Sequence, residues 1–232
     1  MRGETSCGTG LRDNSDVYYG QNLVYETFAN SEDHLRLIEK HIKPYIKDKI
    51  VLDVGCGTGK YIKIFEKDTR EIVGLDKSLF QIRTAQQSIA AKFVCADASE
   101  MPFEDNYFDV VFSAWTLCTI NSLEIRERAF AEIERVTKPG GKIIIVCDDL
   151  GGEFKEMFID KLADTNQVTK HKNSYSNYLS QKGFKLTKRI KTYFKFKDVN
   201  EAQIVIATIF GNKIGHEIKS NTIKHNVIIF ER

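Results

Sequence analysis

The amino-acid sequence predicts an α/β fold, a mostly parallel sheet with helices on both faces. Three observations carry this. From Ile50 to Cys147, short apolar runs alternate with stretches of helical periodicity. The first run, Ile50–Val54, ends in Gly55-Cys-Gly-Thr-Gly59, which reads as a buried strand turning sharply into a helix. The second, Glu71–Leu75, is followed by Asp76, about twenty residues beyond the glycine turn, where an acid at a strand tip can accept hydrogen bonds from the ribose hydroxyls of a nucleoside.

The chain has 232 residues, enough for one such domain with attachments and a sizeable core. Residues 1–16 are polar and aperiodic and read as a mobile arm, 17–47 as a covering segment with helices, and 48–232 as the main domain, with a helical insertion at 198–221. The formal net charge of +2 supplies no broad basic field, so no nucleic-acid partner is expected. The lysines of the C-terminal third (Lys182 to Lys197) alternate with apolar residues, as on a solvated strand face. Five cysteines without a C-x-x-C pair, four of them in or beside predicted strands, suit core thiols in a reducing compartment. No secretory leader and no long apolar run is visible, so a cytoplasmic protein with no membrane partner is expected.

The elements follow in order. Val17–Phe28 is unusually aromatic for a tail and should pack against something, with Tyr18, Tyr19, Tyr25 and Phe28 as its candidates. Ser31-Glu-Asp-His reads as a helix start, with Leu35, Ile38, Ile42 and Tyr45 on one face and Pro44 leading out. His34 and His41 read as surface residues, since no His or Cys stands at ligand spacing with them; no metal site is expected. After the first strand come a helix from about Thr58 to Lys67, the Glu71–Leu75 strand, a helix with Leu79, Ile82, Ala85 and Ile89 inward, and a third strand, Lys92–Cys95. Strand four is Val110–Ser113, the next helix Leu123–Val136, and Thr137–Lys142 a break before strand five, Ile143–Cys147. Beyond Leu150 the pattern gives helices at Phe154–Ala163 and Tyr175–Gln181 around a polar loop, a sixth strand at Phe184–Phe196 and an antiparallel seventh at Thr222–Phe230.

Spacing tests the glycine turn against phosphate-binding loops. A dinucleotide fingerprint needs a small residue at 60 or 62, where Lys60 and Ile62 stand; a P-loop needs glycine at 54 and Ser or Thr at 61, where Val54 and Tyr61 stand. Both fail. Leu52-Asp-Val-Gly-Cys-Gly-Thr-Gly59 resembles instead the first motif of the S-adenosylmethionine (SAM) dependent methyltransferases of the "methyltransferase type 11" kind. Asp76, Ala96-Asp97-Ala98, the Met101-Pro-Phe-Glu-Asp-Asn-Tyr-Phe-Asp-Val-Val111 passage and Lys138-Pro-Gly-Gly141 follow in that family's order.

The resemblance implies a Rossmann-like, seven-stranded sheet of order 3-2-1-4-5-7-6 with the last strand antiparallel, and SAM as cofactor with S-adenosylhomocysteine (SAH) as product. It implies that Gly55, Gly57 and Gly59 face the cofactor, Asp76 the ribose, and Asp97 and Ala98 the adenine, with Asp53, Cys56, Thr58, Lys77, Ser113 and Ala114 completing the set. Trp115 stands where many relatives carry a histidine pair, and it either shapes an acceptor pocket or closes the core. Asp148 and Asp149 leave strand five at the same edge, either to bind a cationic acceptor or to cap a helix; with Tyr18, Tyr19, Tyr25, Trp115, Tyr193 and Phe196 they form the expected acceptor pocket, and Asp148, Tyr19 and Tyr25 are candidates to take a proton. A small-molecule acceptor is expected. An RNA or protein methyltransferase and a non-catalytic SAM-binding subunit are the rival readings. No oligomeric state is legible.

Overall fold

The computed structural model describes residues 22–149, 152–159 and 175–232. Arm 1–16, Tyr18, Tyr19, loop 164–174 and the end of the helix expected at 154–163 lie outside the described residues. Seven strands form one sheet in the order β3-β2-β1-β4-β5-β7-β6. They are β1 (Ile50–Val54), β2 (Glu71–Asp76), β3 (Lys92–Cys95), β4 (Phe108–Ala114), β5 (Thr137–Asp148), β6 (Lys185–Lys195) and β7 (Thr222–Glu231). Pairing is parallel from β3 through β5, and β7 runs antiparallel to both β5 and β6. The expected sheet is the one found. Because β6 is thereby parallel to β5, its carboxyl end opens on the same edge as the glycine turn.

Helices cover both faces: α1 (Asn22–Ser31), α2 (Leu37–Ile46), α3 (Lys60–Phe65), α4 (Leu79–Gln86), α5 (Leu123–Val136), α6 (Glu153–Ile159), α7 (175–181), α8 (Val199–Phe210) and α9 (Asn212–Gly215). Strand alternation sends Leu52 and Val54 towards Phe130 and Ile133 of α5, and Val51 the opposite way, towards Ile38 and Ile42 of α2 and Ile62 and Phe65 of α3. Each such buried side chain contributes about 1.5–3 kcal/mol relative to exposure. A third cluster joins Phe194 of β6 and Phe196 just beyond it to Val205, Ile206 and Ile209 of α8, Phe154 of α6 and Phe28 of α1. It seats the insertion and α1 at the carboxyl edge of the sheet.

Several expectations need correction. Ser31 ends α1; the following helix begins at Leu37, where the Asp33 carboxylate accepts the N–H groups of Leu37 and Ile38 at 2.9 Å each, and Pro44 lies inside it. The glycine-turn helix starts only at Lys60, because Gly57 and Gly59 take positive φ. Leu79 is exposed. Residues 137–142 belong to β5, with a register shift between Phe108 and Val110 of β4 accommodating them. Cys56 and Cys147 are buried, whereas Cys95 is exposed; Cys7 lies outside the described residues.

His41 is not merely a surface residue: its Nε2 lies 3.0 Å from the buried Glu231 carboxylate, which also accepts from Thr187 Oγ1 at 2.7 Å and Lys142 Nζ at 2.8 Å. Burial alone would raise the Glu231 pKa; the Lys142, Thr187 and His41 bonds outweigh it and bring the value from 4.5 down to about 2. A depressed carboxyl pKa stabilises the fold above the unfolded value and loses that contribution as pH falls through the folded one. Glu231→Gln should therefore cost about 2–3 kcal/mol at pH 7. In urea titrations from pH 5 to pH 2, stability should fall less steeply in the variant than in the parent. Parallel pH profiles would contradict the assignment.

Candidate active site

The site is built where β1 and β4 part company across the reversal of strand order, the usual ligand position in open α/β sheets. β1 ends against β2: Gly55 N–H and Cys56 N–H both donate to Leu75 O, at 2.7 and 3.0 Å. Gly55 has φ +77°, and a Cβ there would lie 2.0 Å from Thr116 Oγ1, so the loop after β4 closes on the turn. Gly57, at φ +53°, is open: a Cβ there would meet nothing nearer than Tyr25 Oη of α1, at 3.7 Å. Its N–H donates to Asp76 Oδ2 at 2.9 Å, and the other Asp76 oxygen accepts Ser78 N–H at 2.9 Å.

The charges around this turn are acidic. Asp53 is 2% exposed, and burial together with the neighbouring Asp76 carboxylate raises its pKa to about 8, so it is mostly protonated at neutral pH. Burial also raises Asp76, against the lowering effect of the Ser78 and Gly57 N–H groups. Beyond β3, Asp97 accepts both the N–H and the hydroxyl of Ser99, at 2.8 and 2.7 Å; these bonds overcome its partial burial and hold it below the ordinary carboxylate value. The Asp76 and Asp97 carboxylates, unlike the protonated Asp53, disfavour phosphates and suit a ligand bearing positive charge and ribose hydroxyls. The sulfonium and ammonium groups of SAM fit that donor set, and the open Gly57 gives backbone room beside it.

At the other side of the turn, Trp115 has φ +54°, a strained conformation for so large a residue. It is held by Trp115 N–H donating to Val146 O at 2.9 Å and by its indole Nε1 donating to Asp148 Oδ1 at 2.7 Å. The ring stacks on Tyr61 at 6.4 Å and on His225 at 6.2 Å. His225 Nε2 lies 3.2 Å from the same Asp148 oxygen, and its Nδ1 3.4 Å from Glu32 Oε1.

Not every expected site side chain faces this space. Ser113 is buried with its hydroxyl donating to Val54 O at 2.9 Å, so it braces the turn from behind. Cys56 points into the core, its sulfur 2.8 Å from where a Cβ on Gly74 would stand, which leaves only its backbone to the turn. Asp149 pairs with Arg189 of β6, and so does not join Asp148, which turns to Trp115 and His225. Tyr193 and Phe196 sit three residues apart on an extended segment and face opposite ways, Tyr193 to the His34 ring at 5.5 Å and Phe196 into the third cluster. They cannot line one pocket. Thr58, Ala98 and Ala114 are half-buried near the turn and strand ends, and Lys77 is exposed. A separate groove of about 340 Å³ between α1 and the start of α8 is lined by Leu23, Glu26, Asn30, Lys195 and Glu201, none of them an expected site residue.

Residues 52–145 match the family model described as a methyltransferase domain. That stretch, from β1 into β5, is similar to a methyltransferase domain. Over 202 residues it is 29% identical to an uncharacterized protein of Methanocaldococcus jannaschii, covering 79% of this chain and 74% of the other. Over 118 residues it is 33% identical to a ubiquinone/menaquinone biosynthesis C-methyltransferase of Burkholderia cenocepacia, covering 47% of this chain and 46% of that protein, so the alignment spans about half the length of the named relative. A solved structure, a putative type II methyltransferase from Anaeromyxobacter dehalogenans, superposes with a TM-score of 0.60 at 16% identity, covering 84% of this chain and 94% of the other, a likeness of fold.

Three polar residues at this edge of the sheet escape motif reading: Glu32, Lys60 and His225. Only His225 leaves a trace in the pattern, as the polar member of the inward row Ile223, His225, Val227, Ile229 on β7. Among the described residues no cluster is arranged to hold a metal ion, and no helix is long and apolar enough to cross a membrane.

Proposed function

We propose that this chain transfers the methyl group of SAM to a small-molecule acceptor, with Gly55, Gly57, Asp76 and Asp97 holding the donor and the Trp115–Asp148 edge facing the acceptor. The observation that carries the reading is the acid-lined, side-chain-free turn at Gly57 beside the strained Trp115. When bound, SAM supplies an activated methyl whose carbon–sulfur bond breaks with its electron pair going to sulfur, leaving SAH, as the acceptor's lone pair forms the new bond. The protein's part is alignment of the two partners. Asp76 orients the ribose, and the Gly57 backbone lets the nucleoside lie against the chain. Trp115, fixed through its Nε1 to Asp148, gives the acceptor a rigid flat wall.

An amine, hydroxyl or activated carbon acceptor each ends by losing a proton, and the groups nearest to take it are Asp148 and, across Gly57, Tyr25. The Burkholderia relative's name, a C-methyltransferase of quinone biosynthesis, adds the carbon case to amine and hydroxyl acceptors. The test is incubation with methyl-labelled SAM and a metabolite extract, read by mass spectrometry. A labelled small molecule formed together with SAH is expected. Tight SAM binding without any labelled metabolite, and label appearing in RNA or protein instead, would overturn the small-molecule reading.

A further inference from the structure

Arg126 carries a charge that the described chain does not balance. The residue lies near the start of α5 and is 7% exposed. Its Nε donates to Ile120 O at 3.0 Å and its Nη2 to the same oxygen; among the described residues Nη1 makes no hydrogen bond and the guanidinium no ion pair. The guanidinium carbon lies 5.2 Å from the centre of the Tyr175 ring and 5.5 Å from that of Tyr178, both on α7. The adjoining acid, Glu127, is exposed and already bonded to Lys182. One carbonyl oxygen and two aromatic faces ease the burial of a cation but do not neutralise it.

Beside this cation stands a donor with nothing to bond. Tyr175 is 6% exposed, and its Oη is buried without a hydrogen-bond partner, which folded proteins rarely allow. Burial raises the phenol well above its ordinary pKa, with the Cys147 and Cys118 thiols adding to the effect and Arg126 opposing it, so the hydroxyl remains a donor. Cys118 belongs to the single turn Leu117–Thr119 that follows Trp115, and Cys147 precedes Asp148. Strand alternation puts Cys147 with Tyr175 in the core on one face of β5 and turns Asp148 to Trp115 on the other. The unbalanced cation and the unpartnered donor therefore lie at the carboxyl edge, around the end of β5 from the Trp115 wall.

We propose that Arg126 and Tyr175 form a subsite for a carboxylate carried by the acceptor, away from the atom that takes the methyl group. The proposal rests on the reading of the Trp115–Asp148 edge as the acceptor side. A carboxylate is planar and singly charged: it matches the unused Nη1 side of the guanidinium, balances its one charge, and has a lone pair to spare for the Tyr175 O–H. Arg126 also holds Ile120, and so the loop that begins at Trp115, which ties the anion to the wall along which the acceptor lies.

The full chain is titrated with sodium acetate and with sodium benzoate, without SAM and at constant ionic strength, and protection against urea unfolding is recorded for the parent, Arg126→Gln and Tyr175→Phe. The parent should show saturable protection, and Arg126→Gln should need at least about tenfold more carboxylate to reach it. Tyr175→Phe separates a site from mere packing. Relieved of an unbonded buried hydroxyl, it should be at least as stable as the parent without carboxylate, yet need at least about threefold more for the same protection. Should Arg126→Gln fail to fold, Tyr175→Phe decides the matter. No saturable protection of the parent by either salt, or equal protection of the parent and Tyr175→Phe, would overturn the proposal. Inorganic phosphate protecting at lower concentration than both salts would overturn the carboxylate assignment. If the parent binds no SAH while carboxylate protection still depends on Arg126 and Tyr175, the methyl-transfer reading fails and the anion subsite stands.

Discussion

Gly55→Ala should abolish measurable SAM binding and lower stability by about 2–4 kcal/mol. Two costs combine. The native φ of +77° is one that an alanine adopts at about 1–2 kcal/mol, and the new methyl would stand 2.0 Å from Thr116 Oγ1 and 2.3 Å from its Cγ2. Thr116 cannot simply rotate aside, because its Oγ1, Cγ2 and Cβ all lie within 2.5 Å of the added carbon. The loop from Thr116 must move, and with it Trp115 and the wall it provides. Gly140→Ala is the control: its φ is +74°, but an added Cβ meets nothing within 4 Å, so only the conformational cost applies. Urea denaturation of the two variants separates the terms. Equal losses would mean that the loop after β4 does not press on the glycine turn.

Asp76→Ala should weaken SAM binding by about 1–3 kcal/mol, roughly fivefold to 150-fold, through loss of charge-assisted bonds to the ribose. The same carboxylate also accepts from Gly57 and Ser78, so part of any effect could arise from a loosened turn. Asp76→Asn distinguishes the two. It keeps an acceptor oxygen for one of those N–H groups while removing the charge, so its melting temperature should stay nearer the parent's while its SAM affinity remains reduced. Parent-like affinity in both variants would remove Asp76 from the ribose role.

The sheet and the glycine turn are legible in the sequence because their causes are local: buried runs such as Ile50–Val54 carry their periodicity with them, and Gly55 to Gly59 announce positive φ by composition. What fails is decided at longer range. The start of α2 reads as Ser31 because a hydroxyl before acids resembles a cap, whereas the bonds are made by Asp33, itself at φ +53°. Asp148 and Asp149 read as a pair because they are adjacent; on a strand, adjacency sends them apart, one to Trp115 and the other to Arg189. The union of Glu32, Lys60, Asp148 and His225 spans almost the whole described chain, and no spacing rule connects them. Sequence pattern therefore finds the half of the site built from backbone turns and strand tips. The half made by distant side chains appears only in three dimensions.

The central claim is that the bend at Gly55–Gly59 holds a methionine-derived nucleoside, and a crystal structure grown with SAH tests it most directly. The account predicts the nucleoside lying along Gly57 with its ribose hydroxyls on Asp76 and its adenine beside Asp97. A well-ordered structure with SAH bound elsewhere, or with a dinucleotide phosphate seated in the bend, would contradict it.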